Sequence, residues 1–203
     1  MDISMKQTFA AIGMAFLLAS CSDNKPFAKL ASVYEESFAA YRELDAEYEK
    51  DPNKGGYGDR SRELSLLYDD KETQAMQELE GTEIETEVID APGLTVKKAF
   101  TATVNNKYGT SLELVATINV DETFDTSMLG TIGYSGSKPL YYFSSNNWTV
   151  GDDIEITIKL SEEFSYSANI EFIKNINKIV LTTDKELIER MQKEDRTRHG
   201  YND

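Results

Sequence analysis

The hydrophobic period of this chain changes at Thr82 from that of a helix to that of a strand, and this change dictates a mixed fold. Before it, Phe27, Leu30, Tyr34, Phe38, Tyr41, Leu44 and Tyr48 recur every three or four residues. Glu35, Glu36, Arg42, Glu43, Glu47 and Glu49 fall mostly between them. Apolar residues at that spacing share one side of a helix, so 27–49 is expected to be an amphipathic helix. The turn-forming run Asp51-Pro52-Asn53-Lys54-Gly55-Gly56-Tyr57-Gly58 ends it. A second helical pattern, with Leu64, Leu67, Tyr68, Ala75, Met76 and Leu79 on one face, stops at Gly81. Residues 27–81 therefore predict an αα-hairpin.

After Thr82 the period is two. Leu112, Leu114, Ala116, Ile118 and Val120 alternate with Glu113, Val115, Thr117 and Asn119, and Ile154, Ile156, Ile158 and Leu160 with Glu155, Thr157 and Lys159. Val96–Val104 has a similar pattern, and Glu83–Ile89, Met128–Tyr134, Leu140–Ser144, Tyr166–Phe172 and Lys178–Thr182 are further candidate strands. Turn signals separate them at Ala91-Pro92-Gly93, Asn105–Gly109, Gly136–Pro139 and Gly151–Asp153. Seven or eight short strands at this spacing predict an antiparallel, Ig-like β-sandwich over 82–183. The fold class expected is α+β. The core cysteine pair of antibody domains is absent, so the Ig likeness is one of architecture. Asp184 is placed to cap a last short helix with Leu187, Ile188 and Met191 on its apolar face, and Lys193–Asp203 reads as a loose polar tail.

The first residues follow a different logic. Lys6 supplies a positive start, Phe9–Leu18 an apolar stretch, and the small residues Ala19 and Ser20 precede Cys21, the one cysteine of the chain. Met5-Lys6 is a more typical signal start than Met1-Asp2. An export signal needs a basic start, about 7–15 apolar residues and a small-residue cleavage site, whereas a membrane-spanning helix needs about 20 residues. Leu18-Ala19-Ser20-Cys21 resembles the lipobox of bacterial lipoproteins. The resemblance implies that 1–20 is a signal peptide, that cleavage precedes Cys21, and that this sulfur is lipidated. Residues 21–26 then form an anchor and short tether. Several acyl chains, at about 0.8 kcal/mol per buried methylene, hold a protein stably at a membrane. In the same family an Asp directly after the lipidated cysteine favours the inner membrane. Ser22 stands there instead, which favours the outer membrane, while the face on which the chain would be displayed is left open.

Lysine and arginine number 21 against 36 aspartates and glutamates, for a net charge of −15. Such a chain repels nucleic acid and anionic headgroups. Acidic clusters at Asp121, Glu122 and Asp125 and at Asp152 and Asp153 are weak calcium candidates, provided that their loops share one end of the sandwich. The stretch from Asp51 to Arg62 tests as an EF-hand loop and departs from it. Asp51, Asn53 and Asp59 fall at oxygen-ligand positions, but Arg62 occupies the place of the bidentate Glu and Gly55 carries no side chain. An inter-helix turn is the expected reading, with no cofactor assigned beyond the calcium candidates.

Catalytic residues are scarce. The single histidine, His199, lies in the polar tail, and the lipobox resemblance commits Cys21 to lipid. No Gly-x-Ser-x-Gly elbow and no phosphate-binding glycine loop occurs. A paired-carboxylate glycosidase is compatible with the residue types but needs a deep cleft. Tyr134, Tyr141, Tyr142 and Trp148 crowd the middle of the strand region, either as a sugar-stacking or protein-binding surface or as core. The reading expected is a non-enzymatic envelope lipoprotein whose sandwich binds an envelope protein or a glycan. The alternatives are an assembly accessory docking through its N-terminal helices and, more distantly, a carbohydrate-active enzyme.

Overall fold

The computed structural model describes residues 25–51, 53–107, 109–124, 129–144, 150–160 and 167–198. Two long helices come first, α1 (Ala28–Lys50) and α2 (Tyr57–Gln77). The strands follow: β1 (Glu85–Ile89), β2 (Leu94–Asn105), β3 (Ser111–Val120), β4 (Gly130–Ser135), β5 (Lys138–Ser144) and β6 (Asp153–Lys159). Helix α3 (Ser167–Asn175), strand β7 (Lys178–Thr182) and helix α4 (Lys185–Arg198) complete the chain.

The strands form two sheets, one in the order β2-β3-β6 and one in the order β1-β7-β4-β5. The first is antiparallel and one-sided. Leu112, Leu114, Ala116, Ile118 and Val120 of β3 are wholly buried while their neighbours are only half-buried, as period two requires. The second is covered on both faces. Ile179 and Leu181 of β7 join the main core, whereas Val180 is buried outside it, on the α4 side with Ile132. A strand covered on both faces reads as an unbroken apolar run, which is what Ile179-Val180-Leu181 is.

The segment leading into β1 links the two sheets. Gly81 and Ile84 donate to the carbonyls of Ala102 and Phe100 on β2, and Ala102 donates to the carbonyl of Thr82. Beyond Ile84 the chain leaves β2 and pairs with β7, in parallel, from Glu85↔Lys178 to Ile89↔Thr182.

The α+β class and the two N-terminal helices match the sequence expectation, with three corrections. The stretch Tyr166–Phe172, expected as a strand, lies from Ser167 onward in helix α3, which runs on to Asn175. Ile170, Ile173 and Ile176 recur at helical spacing and are buried together with Phe172, so the alternation that ends at Phe172 was a fragment of a longer helical period. The β1–β7 pair is parallel, so the sheets are antiparallel-rich and not wholly antiparallel, and an Ig-like strand order is not established. The polar run from Lys193, expected to be loose, continues α4 to Arg198. Gln192 tethers that helix to the sheet through the Tyr142 hydroxyl, 3.1 Å away. Asp184 does cap α4, its Oδ1 accepting from the Leu187 amide at 3.1 Å.

Helix α3 packs so tightly on β4 that a side chain at Gly133 has no room. A Cβ there would stand 2.3 Å from Cε2 of Phe172, a ring 2 % exposed. Gly133→Ala is therefore expected to cost about 1–3 kcal/mol by overpacking, read as a lower urea midpoint with an unchanged m-value.

Candidate interaction surface

The four aromatic residues singled out in the sequence do not make one surface. Tyr141 is buried, its ring stacked on Phe143 at 5.1 Å and tilted against Phe172 at 5.3 Å. It belongs to the core. Tyr142 points to the other side of β5, where its hydroxyl accepts from Gln192. Tyr134 is half-buried, with the Lys178 ammonium 5.6 Å from its ring centroid. It lines a shallow depression of about 420 Å³ with Asp184, Glu186, Leu187 and Arg190. Burial pushes the Tyr134 hydroxyl up, and Arg190 and Lys178 oppose that shift. Trp148 lies outside the described residues, as do Cys21, Asp125 and His199.

The acidic loops do come to one end of the three-stranded sheet. Asn119 donates from Nδ2 to the carbonyls of Gly151 and Asp152, both at 3.2 Å, and to Oδ1 of Asp153 at 3.3 Å. Asp121, however, spends its carboxylate locally. Oδ1 accepts from the Thr123 amide at 2.8 Å and the Thr123 hydroxyl at 2.5 Å, and these bonds hold its carboxyl below the usual range. Among the described residues no three Asp, Glu, His or Cys side chains converge as a metal site would need. The loop after α1 is an inter-helix turn in which Asp51 Oδ1 accepts from the Asn53 amide at 3.3 Å.

The hairpin has a buried root and an exposed tip. At the root Phe27, Leu30, Ala31, Val33 and Tyr34 of the α1 end and Ala75, Met76 and Leu79 of the α2 end enter the main core. Beyond Tyr34 the only buried residue of α1 is Leu44. The two helices meet through polar contacts as well. Tyr34 donates its hydroxyl to Glu72 Oε1 at 2.7 Å, and Lys71 reaches Glu36 at 2.9 Å. Lys174 reaches Glu35 at 3.1 Å and so ties α3 to α1. The exposed pairs are screened by solvent and contribute little. Tyr34–Glu72 is different. Burial, and then the Glu72 charge, push the phenol far above its ordinary range, so it stays a donor. Burial raises the Glu72 carboxyl, while the Tyr34 bond opposes that rise.

At the tip, the Tyr48 and Tyr57 rings meet edge to face at 5.0 Å. Their hydroxyls donate to the Gly55 carbonyl at 2.6 Å and to Asp45 Oδ1 at 2.7 Å. Glu47 pairs with both Lys54 and Arg60. These contacts shape a groove of about 390 Å³ between the helices. Ala40, Leu44, Leu64 and Leu67 provide its apolar lining, and Glu43, Glu47, Glu63 and Arg60 its charged lining. Leu67 is 50 % exposed and Leu66, beside it, 59 %. The sequence pattern put Leu67 on one face with Leu64, Tyr68, Ala75, Met76 and Leu79 and passed over Leu66. The signal was present: Leu64, Leu66, Leu67 and Tyr68 are more apolar residues in five positions than one packed helix face accommodates.

No family model, curated protein or solved structure significantly matches the chain. Among the described residues no helix is long and apolar enough to cross a membrane.

Tyr34→Phe removes the donor to a half-buried carboxylate and is expected to destabilise the fold by about 1–2 kcal/mol at neutral pH. The sign of the pH effect follows from the bond's preference for ionised Glu72. The difference between wild type and variant is full where Glu72 is charged and shrinks as pH falls through its raised folded-state pKa. Paired urea titrations at neutral and acid pH check this; a gap that stays constant with pH would show that the bond does not act on the charged form.

Proposed function

We propose that this chain is a non-catalytic accessory of a bacterial cell envelope, held to a membrane by lipid on Cys21 and docking a protein partner on the outer half of its helical hairpin. The exposure of Leu66 and Leu67 beside an apolar-lined groove carries this reading. Single surface leucines are ordinary, but two consecutive exposed ones, of which Leu67 lines the groove, have the character of an interface. Helix α2 adds weight to it, because its buried residues, Ala75 and Met76, both lie near its root end. The glycan reading has less support, since Tyr141 is in the core and Tyr142 is engaged by α4. The lipid anchor rests on the likeness of Leu18-Ala19-Ser20-Cys21 to a lipobox, and the outer membrane on Ser22.

Two measurements test the two halves of the proposal. Cys21→Ser should move the protein from the membrane pellet to the soluble fraction, and retention in the pellet would remove the lipid anchor from the reading. A photo-crosslinking residue in place of Leu66 should yield a discrete adduct in cells, while the same residue at exposed Lys98 on β2 should not. Equal adducts at both positions, or none at either, would remove the hairpin as the docking element.

A further inference from the structure

We propose that the groove between α1 and α2 receives a cationic amphipathic helix of the partner protein, an inference that rests on the docking role given above to the hairpin. Its lining divides by chemistry. Ala40 and Leu44 from α1 and Leu64 and Leu67 from α2 give a continuous apolar floor, with Leu44 only 2 % exposed and Leu67 half in water. Two antiparallel helices leave a seam along which a third helix seats an apolar stripe, with anchors three and four residues apart.

The charged lining selects the sign of the occupant. Glu47 is more than matched by Lys54 and Arg60, so the three carboxylates and two cations about the groove leave one net negative charge. Glu43 and Glu63, one from each helix, are exposed and form no ion pair among the described residues. They offer two unmatched carboxylates beside an apolar floor, so lysines or arginines flanking an apolar stripe would pair with them. An acidic helix would meet like charge at the groove, on a chain whose net charge is already −15. The same repulsion disfavours a second copy of this chain as the occupant.

The test uses two synthetic helical peptides of about 18 residues with the same leucine stripe, one with a lysine polar face and one with a glutamate polar face. Binding to the full-length, detergent-solubilised protein is followed by fluorescence anisotropy at physiological ionic strength. The lysine peptide should bind and the glutamate peptide should not. Leu67→Glu separates the groove from general attraction to an acidic protein. It adds negative charge yet removes an apolar anchor, so it should weaken the lysine peptide by about tenfold or more. Glu43→Lys combined with Glu63→Lys should weaken it comparably and admit the glutamate peptide. Circular dichroism of each variant verifies that the hairpin is intact.

The proposal is overturned if the lysine peptide fails to bind, if Leu67→Glu binds it as well as wild type, or if both peptides bind alike. A concentration-dependent dimer abolished by Leu67→Glu would overturn it in favour of a second copy. Crosslinking at Leu66 keeps the two readings apart. An adduct in cells without lysine-peptide binding leaves the docking role standing and discards the cationic helix; loss of both discards the docking role as well.

Discussion

The structure depends on one main apolar core that the helical hairpin and both sheets build together. Phe27, Leu30 and Met76 from the hairpin root, Phe100, Leu112 and Leu114 from one sheet, and Ile179 and Leu181 from the other all belong to it. At its root α1 packs on this core and on α2. Burying an aliphatic or aromatic side chain is worth about 1.5–3 kcal/mol, so these residues outweigh the exposed ion pairs that decorate the same helices.

Rooting the hairpin at one end has a geometric consequence. Helix α1 has 23 residues and is about 35 Å long. Its continuous burial stops at Tyr34, within the first two turns, and the Tyr34–Glu72 bond marks the boundary between the buried and exposed portions. One turn farther out Phe38 and Tyr68 still pack against the core, and past them the helices support each other through Leu44, the Tyr48–Tyr57 contact and the pairs at Glu47. The outer half therefore keeps its shape with little help from the body, and the apolar surface it does not use internally is left to solvent.

Much of this was legible in the residue pattern, because periodicity reports which face of an element is covered. The helix expected over 27–49 spans Ala28–Lys50, and the strand expected over Lys178–Thr182 has those bounds. Periodicity says nothing about which strands are neighbours, so the parallel β1–β7 pair was out of reach. It also fails where two periods fit the same few residues. Tyr166, Ala168, Ile170 and Phe172 alternate convincingly until Ile173 and Ile176 are counted with them. The aromatic set illustrates a related limit. Alternation along β5 requires Tyr141 and Tyr142 to face opposite ways, but only α3 and α4, packed on opposite sides, decide that Tyr141 is core. The groove at the hairpin tip was hidden because a leucine on a helix looks the same in sequence whether a neighbour covers it or not.

The burial of Phe27, 1 % exposed and near the start of the described residues, bears on how a tethered protein would carry load. On the proposed anchoring, the five residues 22–26 separate the lipid on Cys21 from Phe27, a span of at most about 22 Å. From there α1 runs directly outward to the groove. Tension between a membrane and a partner gripping the tip would pass lengthwise through one helix and its ladder of hydrogen bonds, with the sheets standing beside the line of force. In mechanical terms α1 is the tie rod, and the β-structure is the block that keeps its inner end from unwinding.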